Sequence, residues 1–224
     1  MGNRVAKDAL FSGLSGPAKA LANGRRAEIV DVLAQGERPV EEIAEQIEQS
    51  VANTSHHLQQ LLRAGLVDTR RAGTRIYYRL ASDTVVALWA ALRDVAASHQ
   101  GDIDRLAAAY LGDRAELETM TRGQLQERLR RRDVVVLDVR PALEFAAGHI
   151  PGALSVPIAD LQQRLREIPT DTQVVAYCRG PYCAYADDAV RVLRRRGRDA
   201  LRLEDGFPEW ARAGLPVEAQ ETAR

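Results

Sequence analysis

Apolar positions recur at helical spacing early in the chain and gather into short, nearly continuous runs late in it. From Asn23 the sequence reads as a capped helix with Ile29, Val30 and Leu33 as its apolar stripe and Gly36 as its stop. PVEEIAEQI predicts a second helix at once: Pro39 in the first turn, acids beside it, and Val40, Ile43, Ala44 and Ile47 along one face. Ser50 then caps a third, VANTSHHLQQLLRAG, whose inward stripe is Thr54, Leu58, Leu61 and Leu62 and which Gly65 closes. VDTRR and RIYYRL follow as β-favouring runs joined through Ala72, Gly73 and Thr74, a hairpin with arginines at its tip.

After Thr121 the period changes. Thr121 and Gln124 form a capping-box pattern for QLQERLRR. DVVVLDV, ALSV, QVVAYC and ALRL are then four apolar runs too hydrophobic for half-exposed strands, separated by amphipathic pieces such as IADLQQRLREI and AYADDAVRVLRRRG. That alternation predicts a parallel sheet covered by helices on both faces. The expected organisation is multidomain: an α-rich reader over residues 1–98, a helical connector over 99–119 and an α/β domain over 120–224.

Formal net charge is zero, so only the local distribution of charge informs about partners. Glu41, Glu42, Glu45 and Glu48 crowd the second helix, whereas Arg63, Arg70, Arg71, Arg75 and Arg79 face Asp68 alone in and before the hairpin. The richest apolar run, 82–97, is broken by Asp83, Arg93 and Asp94, so no membrane partner is expected. Two cysteines and no apolar leader fit a reducing cytoplasm better than a disulfide-built secreted domain.

The polar face of the third helix carries Asn53, Ser55, His56 and Gln59, which can hydrogen-bond base edges and phosphates, while Val51 and Ala52 permit close approach. With Ser50 at its start and Arg70, Arg71 and Arg75 in the neighbouring hairpin, these are the residues expected at double-stranded DNA. In ALANGRRAEIVDVLAQGE, SVANTSHHLQQLLRAGLV and RRAGTRIYYRL the chain resembles the ArsR/SmtB family of winged helix-turn-helix repressors over about residues 5–98. The resemblance implies a homodimer, formed by the first and last helices, that binds an inverted repeat. The last helix would be SDTVVALWAALRDVAASH, with Val85, Leu88, Trp89 and Leu92 on its buried side. Many members of that family sense metals through cysteines on the second helix or through His and acidic residues on the last; this sequence departs from both patterns, with no cysteine in its first half and only His99 with Asp102 near the last helix, so no metal and no cofactor is expected.

Both cysteines, Cys178 and Cys183, lie in YCRGPYCAYA at the end of a predicted strand. Ligand sites of such sheets gather at the carboxyl ends of strands. The amides of the RGPYCA loop, those of Gly180, Tyr182 and Ala184 among them, together with Arg179 and the following helix N-terminus, are expected to favour the Cys178 thiolate. LDVRPALEFAAGHIPGALSVP, YCRGPYCA and DGFPEWARAGLPV, in that order, resemble the rhodanese family over about residues 120–220. That resemblance implies that Cys178 accepts a sulfane sulfur as a persulfide, and that Asp138, Arg140, Glu144 and His149 hold the fold.

An arginine six positions after the nucleophile, needed for phosphate chemistry, is replaced by Ala184. An arginine five positions after it, frequent in thiosulfate sulfurtransferases, is replaced by Cys183. The expectation is therefore a DNA-binding repressor that responds to persulfide or polysulfide through Cys178 and Cys183, with a DNA-placed sulfurtransferase enzyme as the alternative.

Overall fold

The computed structural model describes residues 2–99 and 101–220. Two helices that the apolar spacing does not announce come first: α1 (Arg4–Leu14), whose Asn3 side chain accepts from the Ala6 amide, and α2 (Gly16–Leu21). The capped helix α3 (Gly24–Leu33) follows, its Asn23 carboxamide accepting from the Arg26 amide at 3.2 Å. A two-residue strand β1 (Arg38–Pro39) then leads into α4 (Val40–Gln46), so Pro39 stands at the cap rather than inside the first turn.

The third expected helix is α5 (Val51–Arg63). Ser50 Oγ accepts from the Asn53 amide at 3.2 Å, and Thr54, Leu58 and Leu61 face inward as the spacing requires. The hairpin is β2 (Val67–Ala72) and β3 (Arg75–Leu80), paired from Val67↔Leu80 to Ala72↔Arg75. Its turn is therefore only Gly73-Thr74, with Gly73 at φ +59°, a tighter connection than the three residues expected. Ile29, Val30, Ile43, Leu58 and Leu61 form one buried core beneath it. Each such side chain contributes about 1.5–3 kcal/mol by leaving water.

α6 (Asp83–His99) buries Val85 and Ala90 and packs Leu88 and Trp89 against this core, but Leu92 and Val95 are exposed within the single chain. The contact pattern divides the chain into two compact units, one ending at Val95 and the other beginning at Ala96, so residues 99–119 belong with the α/β part.

The second unit adds α7 (Ile103–Leu111), β4 (Thr119–Met120), α8 (Arg122–Arg131), β5 (Val134–Asp138), α9 (Ala142–Ala147) and β6 (Leu154–Ser155). It continues with α10 (Leu161–Arg164), a 3-10 turn over Leu165–Glu167, β7 (Gln173–Tyr177), α11 (Tyr185–Arg195), β8 (Ala200–Leu203) and α12 (Phe207–Arg212). The strands pair in parallel in the order β4-β8-β7-β5-β6. The four expected runs are β5 to β8; the two-residue β4 is additional.

β7 is the middle strand, and its alternation sends Val174, Ala176 and Cys178 into the core under α10 and α11. Val175 and Tyr177 enter the opposite core with Leu125, Phe145 and Trp210. Since Ala176 is paired with Arg202, that arginine stands on the same face of the sheet as Cys178.

Candidate functional site

On α5 the outward residues Val51, Asn53, His56 and Gln59 are exposed, while Ser55 is half-buried. His56 Nε2 lies 3.0 Å from Gln60 Nε2. Ser50, expected at the nucleic acid, has its hydroxyl engaged as the helix cap. Of the hairpin arginines, Arg71 and Arg75 are exposed beside the turn. Arg70 is different: its guanidinium makes a forked ion pair with Glu37, 3.1 and 3.0 Å from Nε to the two carboxylate oxygens, and stacks on Tyr77. The Arg70 hydrogen bond draws the Glu37 carboxyl below its ordinary range. Arg70 is thus already neutralised, a pairing across 33 residues that the local charge count misses.

In the α/β unit, Cys178 is 2% exposed at the end of β7 and Cys183 is half-buried just before α11. The Cys178 sulfur lies 3.5 Å from the Cys183 carbonyl oxygen and 3.9 Å from that of Gly180. The Cys183 amide is spent on Gly180 O at 3.2 Å, closing the loop into a tight turn. The amides that bear most on the sulfurs are those of Ala186 and Gly180 at Cys178 and of Arg179 and Tyr185 at Cys183; Tyr182 and Ala184 are not among them.

The charge distribution also departs from expectation. Burial pushes the Cys178 thiol well up, and its side-chain hydrogen bond to Cys183 pushes the same way. The Cys183 thiol is drawn down, first by that hydrogen bond and then by the Arg179 and Tyr185 amides. The two directions belong to one coupled pair, so the first proton lost is a property of both sulfurs together and not of either alone. Arg179 is not a free cation either: its Nε lies 3.0 and 3.1 Å from the two oxygens of Glu144, whose side chain is fully buried. Burial opposes the Arg179 charge, but Glu144 more than offsets it and holds the group protonated.

The back of the loop is closed. Phe207 N donates to Cys178 O at 3.0 Å, and a Cβ placed on Gly206 would lie 2.2 Å from Gly180 N and 2.3 Å from Arg179 C. Only glycine fits there. The front is held by the segment after α7. Arg114 Nη1 donates to Pro181 O at 2.8 Å and its Nε pairs with Asp187 at 2.5 Å, while Arg202 Nε lies 3.2 Å from the other Asp187 oxygen. Arg191 and Arg194 of α11 donate to the carbonyls of Asp113 and Glu116. Burial and the charge of Arg114 lower the pKa of Arg202, with Asp187 and the Cys178 sulfur acting oppositely.

His149, by contrast, stacks on Phe145 with ring centroids 3.6 Å apart and shares a hydrogen bond at 2.9 Å with the Phe145 carbonyl. Asp138 and Arg140 form a fully buried pair. All three hold the fold.

Comparison with known proteins matches these two halves separately and together. Residues 23–69 match the bacterial regulatory protein, arsR family, and residues 121–213 match the rhodanese-like domain. The chain is 48% identical over 212 residues to the HTH-type transcriptional regulator Rv0324 of Mycobacterium tuberculosis, covering 95% of this chain and 93% of that protein. A sulfurtransferase of Allochromatium vinosum is 42% identical over 89 residues, 40% of this chain and 82% of that protein. The solution structure of the homodimeric winged helix-turn-helix domain of Mb0332 from Mycobacterium bovis is 46% identical, covers 45% of this chain and 93% of that chain, and superposes with a TM-score of 0.42. With an arsR-type reader, a rhodanese-like unit and a relative matched across nearly the whole length, the chain belongs to the arsR-family transcriptional regulators that carry a C-terminal rhodanese-like domain.

Proposed function

We propose that this regulator is a cytoplasmic repressor that binds an inverted-repeat operator as a homodimer and changes its affinity when reactive sulfur reaches Cys178 and Cys183. The observation that carries the reading is the meeting of the chain's only two cysteines in one tight loop at the carboxyl end of the middle strand. Two thiols so placed can take a sulfane sulfur from a persulfide or polysulfide and close into a disulfide. The dimer is supported by the apolar residues left exposed on α1, Val5, Leu10, Phe11 and Leu14, and on α6, Leu92 and Val95.

Tetrasulfide treatment followed by intact mass, run beside binding to a duplex that the wild-type protein selects from random sequence, tests this. The wild type should form the Cys178–Cys183 link and change its Kd by about tenfold, equivalent to ~1.4 kcal/mol of coupling. Cys178→Ser and Cys183→Ser should do neither. Sulfur uptake at constant DNA affinity would overturn the repressor switch and leave a sulfurtransferase.

The groove assignment has its own check. Replacing Arg71 and Arg75 together by alanine should weaken binding to every duplex and reduce the salt slope of log K by about two, since each phosphate contact contributes about 0.9. Asn53→Ala or Gln59→Ala should instead alter which bases the protein selects. Unchanged binding in both sets sinks the assignment.

A further inference from the structure

Beside the cysteine loop the second unit holds a cleft of about 350 Å³. One wall is α7, through Ala107, Ala108 and Leu111, and the other is the loop itself, through Pro181 and Tyr182. α7 lies upstream of the matched rhodanese-like region, so the first wall is added to that domain and is not part of it. Both walls are mainly apolar, and the charges between them are sorted by depth.

At the floor are Arg202, 7% exposed, and the half-buried Arg114. Both pair with the one fully buried carboxylate of Asp187, so two guanidinium charges meet a single acid. Their hydrogen bonding is also incomplete. Arg202 Nε and Asp187 Oδ1 stand 3.2 Å apart without the alignment of a hydrogen bond, and these two atoms and Arg114 Nη2 are buried with no hydrogen-bond partner among the described residues. Unpaired buried donors and a surplus buried charge are both costly, and a carboxylate entering the cleft relieves both. At the mouth the sign reverses, because Asp104, Asp113 and Glu204 are exposed there. Glu204 accepts from the Thr119 hydroxyl and Asp113 from the Ala115 amide, whereas the Asp104 side chain has no ion pair or hydrogen bond among the described residues.

We infer that this cleft is a binding site for a small zwitterion of the α-amino-acid class, with its carboxylate inward at Arg202 and Arg114 and its ammonium outward at Asp104. The order of charges selects that class. A plain anion has to pass the acids at the mouth, a dianion such as sulfate exceeds the single surplus charge at the floor, and a plain cation meets the arginines. Pro181 and Tyr182 belong to the cleft and to the cysteine loop alike, and Arg114 holds Pro181 O at 2.8 Å, so an occupied cleft steadies the loop. The site stands whether or not the cysteines respond to sulfur.

Ligand-observed NMR titration of the reduced full-length protein tests this, with each of the common amino acids as probe and with propionate, propylamine and sulfate as partial ones. At least one neutral amino acid should bind, and propionate and propylamine should each bind about tenfold or more weakly than it. Asp104→Asn, at an exposed position of α7, should weaken the amino acid about tenfold and leave propionate no weaker. Ala108→Trp, exposed on the same helix, fills the cleft without touching the buried charges and should abolish binding. Amide hydrogen exchange across residues 179–183 should slow about threefold or more on saturation. Binding of no amino acid, sulfate bound as tightly as the best of them, or wild-type affinity in Ala108→Trp overturns the site; unchanged exchange at saturation overturns its hold on the loop.

Discussion

Asp138→Ala should destabilise the α/β unit by about 3–5 kcal/mol, the range for a buried ion pair that loses one partner. Asp138 Oδ1 accepts from the Arg140 amide at 2.9 Å and from Arg140 Nε at 3.0 Å, and the Tyr177 hydroxyl donates to Oδ2 at 2.5 Å. Burial and the adjacent Asp138 push the Tyr177 phenol far above its ordinary range, so it remains a donor. Arg140 has no exposed surface, and beside its 2.7 Å bond to Gly148 O it lies over the rings of Tyr177 and Phe207. Removing the carboxylate takes from this buried guanidinium its bidentate charge partner, with Gly148 O and the two ring faces among the contacts that stay. The measurement is urea unfolding of the full chain in a Trp89→Phe background, where Trp210, 1% exposed in the second unit, reports that unit alone. A midpoint unchanged from the parent would show that the pair contributes nothing net to the fold.

Gly206→Ala should have the second largest effect, about 1–3 kcal/mol of overpacking, accompanied by a displaced cysteine loop. The new methyl would meet backbone atoms of Arg179 and Gly180 at 2.3 and 2.2 Å, and backbone cannot swing aside as the end of a side chain can. The loop's hydrogen-bond geometry should suffer with it, so Cys183 alkylation should move toward the pH dependence of a free thiol. Gly123→Ala in α8, where nothing lies within 4 Å of the added carbon, is the control and should leave reactivity unaltered. Wild-type stability and alkylation in Gly206→Ala would remove the requirement for glycine at this site.

Much of this architecture was legible because it follows from spacing. The stripe Thr54, Leu58 and Leu61 reappears as the buried face of α5, and the apolar runs from Val134, Gln173 and Ala200 reappear as adjacent strands. The two-residue strands β1 and β4 were not legible, since neither is long enough to show a period and each forms by pairing with a distant strand. The loop's position was readable from the cysteine at the end of a strand, but its electrostatics were not. Glu144 reaches Arg179 across 35 residues, Glu37 reaches Arg70 across 33, and Arg114 reaches Asp187 across 73. How the two sulfurs share their charge depends on where carbonyl oxygens point, and a residue string does not encode that locally.

The grip of Arg114 on Pro181 and Asp187, reinforced by Arg191 on Asp113 and Arg194 on Glu116, bears on how this unit is inherited. The matched rhodanese-like region begins at residue 121, yet the cysteine loop leans on residues 113–116. A recombination joint placed at the edge of the matched region would carry the whole sheet except β4 and leave the brace of its loop behind. The rhodanese-like module with its braced loop therefore starts at least as early as Asp113, and grafting it onto a different DNA reader requires cutting upstream of that residue.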